Sequence, residues 1–212
     1  MNLKRQNIKI LPPEIKKLIN LEKLNLYGNK LETLPPEIGE LTNLKELIVS
    51  NNKLKKLPKE INNLQNLTYL SLKYNQLDTL PQSICSLAKL EMLDIEYNTI
   101  KELPGCIGWL QNLKNLYLNY NNIKEIPQSI GDLKKLQVFD IGKNDIEKSL
   151  PEEIGNLTNL IELDIAKSGV LLQIPESISN LTKLDILYID KYTTLPFTTG
   201  RANSRLRIVV KD

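Results

Sequence analysis

The sequence predicts an α/β solenoid, in which short strands stack into a concave parallel β-sheet and short helical or 3-10 turns line the convex side. One observation is a motif that recurs every 23 residues through most of the 212-residue chain. The other is an L-x-L alternation, with Val, Ile or Phe replacing leucine in some copies, that is only as long as a short strand. Such units bury their apolar faces only against their neighbours, so they stack.

The repeats divide the chain into one domain, 1–212. The first regular copy reads LEKLNLYGNKLETLPPEIGELTN, and the second reads LKELIVSNNKLKKLPKEINNLQN. We assign a partial repeat to 1–20, regular repeats to 21–135, 24-residue repeats to 136–183, and a divergent repeat with a C-terminal capping strand to 184–212.

Each column of the repeat has a physical task. The L-x-L pair, such as Leu24 and Leu26, points to one side of a strand and forms the core. The asparagine that follows, such as Asn29, has an amide that both donates and accepts hydrogen bonds, so it can satisfy a tight turn and the neighbouring coil. Ile38 and Leu41 are three residues apart, which suits one helical or 3-10 turn.

The template L-x-x-L-x-L-x-x-N-x-L-x-x-L-P-x-x-I-x-x-L-x-x resembles the leucine-rich repeat. Its L-P-x-x-I-x-x-L ending is similar to the Ras-group intracellular class and to 23-residue repeat proteins of bacteria, spirochaetes among them. The resemblance covers nearly the whole chain. It implies a horseshoe whose concave face binds another macromolecule, most simply a protein.

Composition excludes several functions. The net charge is +3, from 28 basic and 25 acidic residues, which is too balanced for a typical nucleic-acid binder. No stretch approaches the ~20 apolar residues of a membrane span. The chain lacks histidine, a Gly-rich phosphate loop, a nucleophile elbow and a cluster of metal ligands. We therefore predict a monomeric binding protein that is not an enzyme and uses no metal or cofactor.

Two cysteines are too few for a disulfide framework. Cys85 and Cys106 lie in adjacent repeats but in different columns, so we predict two free thiols. With no apolar segment near Met1, we expect a cytoplasmic protein, or a secreted or cell-surface one if a signal peptide has been removed.

The ends of a solenoid need caps. Near the C-terminus we predict a loop over Phe197 to Ser204. The alternation of Leu206, Ile208 and Val210 then predicts a last strand. At the N-terminus Leu3 can supply a first strand, but no capping helix covers it. We expect a fragment of a longer protein or a short gene product.

Tyrosines mark the concave face. Seven of the 8 tyrosines fall in the outward columns around the strands, and none in the convex segments. Because tyrosine and methionine are enriched in interfaces, we predict a partner-binding patch in the middle of the sheet. Its residues are Tyr69, Tyr74, Met92, Tyr97, Tyr117 and Tyr120. The alternative is a stacked ladder that stiffens the sheet surface.

A charged region continues the patch toward the C-terminus, and we expect it to orient the partner. Its residues are Asp94, Glu96, Asp140, Lys143 and Asp164. Three functions stay open: a stand-alone interaction module, the repeat domain of a larger GTPase- or kinase-linked signalling protein, and a secreted bacterial protein that binds a host surface.

Overall fold

The computed structural model describes residues 1–170, 172–196 and 205–211. Nine parallel strands form one sheet in sequence order, which confirms the predicted solenoid. The strands are β1 (Lys23–Asn25), β2 (Glu46–Ile48), β3 (Tyr69–Ser71), β4 (Met92–Asp94), β5 (Asn115–Tyr117), β6 (Val138–Asp140), β7 (Glu162–Asp164), β8 (Ile186–Ile189) and β9 (Arg207–Val210).

The strands place one side chain of every repeat in the same row. Leu24 pairs with Leu47, and Leu47 with Leu70, each one period further along the chain. These middle residues are almost completely buried, while the first and third residues of each strand point to the concave face. A continuous apolar core therefore runs the length of the solenoid behind the sheet.

The asparagine column forms the predicted ladder. In one copy, Asn98 Nδ2 donates to the carbonyls of Ile95 in its own repeat (3.0 Å) and of Leu72 in the preceding one (3.1 Å). Its Oδ1 accepts the N–H of Leu77 at 2.9 Å. One amide thus satisfies backbone groups of two adjacent coils, which is what a buried turn needs.

Ser168 occupies the same position in a 24-residue repeat and solves the problem differently. Its hydroxyl is too short to span two coils and donates only to the Ile165 carbonyl. The Ile146 N–H, deprived of an amide partner, donates to the Ser168 carbonyl at 2.6 Å. Gly169 permits this approach, since a Cβ there would lie 2.1 Å from the Ile146 oxygen. The departure from the asparagine column at Ser168 is therefore local.

The convex side carries short 3-10 helices, as predicted. Each except that of 107–109 follows a proline in extended conformation. The next leucine, such as Leu41, donates its N–H to the isoleucine carbonyl of the turn. The helices are Pro13–Lys17, Pro36–Glu40, Lys59–Asn63, Gln82–Ser86, Ile107–Trp109, Gln128–Asp132, Glu152–Asn156 and Glu176–Asn180.

The prediction of two free thiols is wrong, because Cys85 and Cys106 form a disulfide with a Cα–Cα distance of 5.9 Å. Two columns of offset do not keep them apart. A 3-10 turn rises only about 2 Å per residue, so two residues displace the cysteines by about 4 Å along the turn. This displacement is at right angles to the coil spacing of about 4.8 Å, and the two together give about 6 Å. That lies within the range a disulfide spans.

The side chain of Cys85 points toward the following coil. Four other repeats place glycine at this position. A Cβ on Gly39 or Gly108 would point at the backbone 21 residues later, 2.5 and 2.3 Å from a carbonyl oxygen. In the Cys85 repeat, the residue 21 positions later is Cys106. The side chain is buried and meets the second sulfur there.

The two ends of the sheet differ. At the N-terminus Asn2 makes a single parallel bridge to Asn25, and Leu3 packs partly buried against the core. At the C-terminus β9 pairs in parallel with β8, with Leu187 opposite Ile208. The loop predicted over 197–204 lies outside the described residues. No helix within the described part of the chain is long and apolar enough to cross a membrane.

Candidate functional site on the concave face

The tyrosine run lies at the turn that ends each strand, not on the strands themselves. Tyr74, Tyr97 and Tyr120 have φ of 55°, 52° and 55°, in the left-handed region. Non-glycine residues adopt it at a cost of about 1–3 kcal/mol. The asparagine that follows each tyrosine, half-buried at Asn75 and buried at Asn98 and Asn121, holds the turn in place, so the rings leave the backbone in one direction.

The three rings form a stacked ladder. Ring centroids are 4.3 Å apart between Tyr74 and Tyr97 and 4.0 Å apart between Tyr97 and Tyr120, with interplanar angles of 24° and 15°. The Lys143 ammonium, one repeat further on, donates a hydrogen bond to the Tyr120 hydroxyl. Tyr74 remains 47% exposed. The ladder that sequence reasoning offered as the alternative to a binding patch is therefore present, and part of it remains accessible.

Hydroxyl contacts give the ladder an uneven electrostatic character. The hydrogen bond with Tyr120, together with burial and Tyr74, raises the pKa of Tyr97. The hydrogen bond from Lys143 lowers the pKa of Tyr120, and the charge of Lys167 acts in the same direction. The C-terminal end of the ladder thus lies in a positive potential.

The other predicted patch residues stand in two rows on the strands. Tyr69 is paired with Met92, and Met92 with Asn115. In the second row Asp94 is paired with Tyr117. Tyr69, Met92 and Tyr117 are half-buried between their neighbours, and burial raises the pKa of both tyrosines. These side chains form a continuous surface beside the ladder.

The aspartates have a local task that sequence reasoning missed. Asp94, Asp140 and Asp164 each accept, through Oδ1, the N–H of the residue two positions later, at 3.2, 3.1 and 2.9 Å. Asn25 does the same at 3.0 Å. A short acceptor at the end of the strand, which favours such turns, was the available signal.

The acidic region is partly desolvated and partly neutralised. Burial, followed by the charge of Asp164, raises the pKa of Asp140 to about 7, and burial raises the pKa of Asp94. Glu96 pairs with Lys73, and Asp164 pairs with Lys211. The structure thus brings the predicted charges together on one face but couples them to two lysines that the sequence prediction left out.

The concave face presents groups that are suited to recognition. The strands form an open sheet, and the described residues contain no group of three or more histidine, cysteine, aspartate or glutamate side chains arranged to hold a metal ion. Aromatic rings, carboxylates and ammonium groups alternate across the surface. This mixture offers both apolar contact and directional polar contacts.

Comparison with family models places known repeats along the chain. Residues 58–138 match a model described as a leucine-rich repeat region. Residues 20–41, 43–64 and 135–157 match a second model, described as leucine rich repeat. No curated protein is detectably similar in sequence.

Several solved structures resemble the chain. A leucine-rich-repeat protein of Leptospira interrogans superposes with a TM-score of 0.70 and 32% identity, over 100% of this chain and 62% of that one. A plant peptide hormone receptor in complex with RGF2 gives 0.78 and 30%, over 95% and 38%. Internalin C2 of Listeria monocytogenes gives 0.77 and 26%, over 89% and 79%. The chain thus spans less than two thirds of the first two of these proteins.

Proposed function

Because this chain belongs to the leucine-rich-repeat proteins, which are in general binding modules without enzymatic activity, we propose that it binds a protein partner on its concave face. The binding centre is the surface from Tyr69 to Tyr120, which we call the tyrosine patch. It comprises Tyr69, Tyr74, Met92, Tyr97, Tyr117 and Tyr120. The observation that carries the proposal is the preorganised stack of Tyr74, Tyr97 and Tyr120.

Preorganisation is the reason that this patch is suited to binding. A tyrosine offers a large contact area with few rotatable bonds, and the turn and the stack already fix these rings. A partner that covers them loses little further side-chain entropy. The hydroxyls, which hydrogen-bond to one another and to Lys143, add polar atoms to the apolar rings. Apolar area combined with polar atoms is found at energetic centres of interfaces.

The charged region beside the patch supplies orientation. Asp94, Glu96, Asp140 and Asp164 place negative charge along the sheet, while Lys143 places positive charge at the end of the ladder. Such an uneven field favours one direction of docking and increases the association rate. The likeness to a plant receptor solved in complex with RGF2 supports a ligand-binding role for the fold.

The disulfide favours a location outside the cytoplasm. Cys85–Cys106 would not persist in a reducing cytosol, since thiol systems keep cysteines there reduced. We therefore propose a secreted or surface-exposed protein that binds a partner outside the cytoplasm, and this replaces the cytoplasmic location expected from the sequence. Non-reducing mass spectrometry of the protein purified under thiol-blocking conditions from its own cells tests this. Two blocked thiols would overturn it.

The binding proposal is tested by capturing partners on the immobilised chain and measuring their dissociation constants by calorimetry. We expect Tyr97→Ala to weaken binding more than tenfold, the loss typical of an interface centre, with an unchanged disulfide and circular dichroism spectrum. The matched control is Trp109→Ala, because Trp109 is 69% exposed on the convex side. Equal effects of the two variants would contradict a concave site.

A further inference from the structure

A cavity of about 410 Å³ opens beside the C-terminal end of the tyrosine ladder. Gly142 and Ala166 line its floor, and Tyr120, Lys143 and Lys167 stand around it. The volume exceeds many times over the ~15 Å³ that one water molecule needs. It is therefore an open recess in the concave face and not a packing gap.

The recess exists because of two small residues in one column. Preceding repeats carry Lys73 and Glu96 at the position that follows the inward pair, and these long side chains cover the sheet. Gly142 and Ala166 occupy the same column one repeat after another. With no side chain beyond a methyl group, they leave room above the turns that follow β6 and β7, although both residues are themselves buried.

Three lysines surround the recess and differ in how they are engaged. Lys143 donates to the Tyr120 hydroxyl. Lys211 pairs with Asp164 and lies 3.7 Å from the ring centroid of Tyr188. The Lys167 ammonium makes no hydrogen bond or ion pair within the described part of the chain. Lysine charge is therefore only partly compensated there.

The carboxylates near these lysines do not cancel their charge. Asp164 is the only acidic residue among the described ones that line the cavity, so three ammonium groups face one carboxylate. Asp190 stands at the next turn, where its two oxygens accept backbone N–H groups of Lys167 and Tyr192 and its negative charge remains. The three lysines therefore still outnumber these two carboxylates. The recess is therefore a local positive site within an otherwise acidic surface.

An unpaired amide oxygen beside the same recess indicates that the ligand also carries a hydrogen-bond donor. Asn119 lines the cavity, and its Oδ1 is buried in the wall without a hydrogen-bond donor among the described residues, so the amide turns toward the recess to meet a donor. A buried acceptor without a partner costs stability, so a donor from a ligand would be favoured there. A carboxylate or phosphate diester cannot supply that donor, whereas the N–H groups of a peptide can.

We propose that this recess, which we call the lysine recess, binds an aspartate or glutamate side chain of the protein partner. The ammonium groups of Lys143 and Lys167 bind the carboxylate, and Asn119 accepts an N–H of the same peptide segment. The proposal rests on the proposed function and adds the chemistry of the partner. Because Asp94 and Asp140 lie on the same concave face and disfavour a polyanion, the acidic residue is flanked by basic or neutral ones.

A nuclear magnetic resonance titration tests the recess without a known partner. The probes are the blocked peptides acetyl-Lys-Glu-Lys-amide and acetyl-Lys-Gln-Lys-amide, and inorganic phosphate. We expect the glutamate peptide to shift the amide signals around Lys143 and Lys167, with a dissociation constant on the order of millimolar. We expect much smaller shifts from the glutamine peptide.

Variants locate the binding. Lys143→Gln combined with Lys167→Gln weakens the glutamate peptide about tenfold, as expected for the loss of charged hydrogen bonds. The matched control is Lys135→Gln on the convex side, where the ammonium contacts Asn112 at 2.7 Å, and it leaves the affinity unchanged. Unfolding midpoints of both variants, measured in parallel, show that the chain remains folded.

Three results would overturn the proposal. They are equal shifts from the glutamate and glutamine peptides, an unchanged affinity in the double lysine variant, and phosphate binding at the recess as tightly as the glutamate peptide. Its failure is separable from failure of the proposed function. If Tyr97→Ala still weakens partner binding while the lysine variant does not, the tyrosine patch stands and the lysine recess does not.

Discussion

The disulfide between Cys85 and Cys106 offers the sharpest test of the fold. Replacing both residues by alanine removes a cross-link that closes a loop with a sequence separation of 21 residues. Chain-entropy reasoning assigns a loop of that length about 3 kcal/mol of stabilisation through the unfolded state. For a domain of this size, that corresponds to a melting temperature lower by about 6–12 °C.

The assay is urea unfolding of the wild type with and without dithiothreitol, beside the double alanine variant. We expect reduction to destabilise the wild type by about the same 3 kcal/mol and to leave the variant unchanged. Titration of thiols in the denatured, unreduced wild type should find none. Two thiols per chain would show that the disulfide is absent. Free energies of unfolding that differ by less than about 1 kcal/mol between oxidised and reduced wild type would show that it does not stabilise the fold.

Three further variants test the asparagine column, the tyrosine stack and the pH dependence of stability. Asn98→Ala leaves the N–H of Leu77 unpaired and should lower the free energy of unfolding by about 2–4 kcal/mol in urea titrations. A loss below about 1 kcal/mol would contradict the structural role of the asparagine column. Tyr97→Ala should cost at most about 3 kcal/mol, from two ring contacts, and a larger loss would make the stack primarily structural. Asp140, whose folded pKa is about 7, binds its proton more tightly when folded, so the unfolding midpoint should fall as pH rises from about 4 to about 7. Asp140→Asn should flatten that profile, and an equally steep profile in the variant would assign the pH response to another group.

Much of the fold is predictable because each feature repeats. Leu24 and its counterparts must face inward in every copy, and a single asparagine amide such as Asn98 can serve two coils only if the coils stack in register. A period of 23 residues therefore specifies strands, turns and convex helices together. Prediction from the period fails where another residue type replaces the asparagine, as Ser168 does. The backbone then rearranges so that the N–H left without an amide partner finds another acceptor.

The site is less predictable because its contacts cross between columns. The sequence places Tyr74, Tyr97 and Tyr120 in one row, but the left-handed turn that aims the rings depends on three-dimensional hydrogen bonding. Lys211 reaches Asp164 from 47 residues away, and no periodic pattern links the two. The disulfide had a readable signal: Cys85 stands where four other repeats have glycine, which marks a close approach to the following coil.

Docking of the partner on the tyrosine patch is tested most sharply by site-specific photo-crosslinking. Tyr97→p-benzoylphenylalanine retains an aromatic ring at the centre of the ladder, and the same replacement of Trp109 places the probe on the convex side. We expect the captured partner to crosslink from position 97 and not from position 109. Crosslinking from position 109 alone would contradict the account.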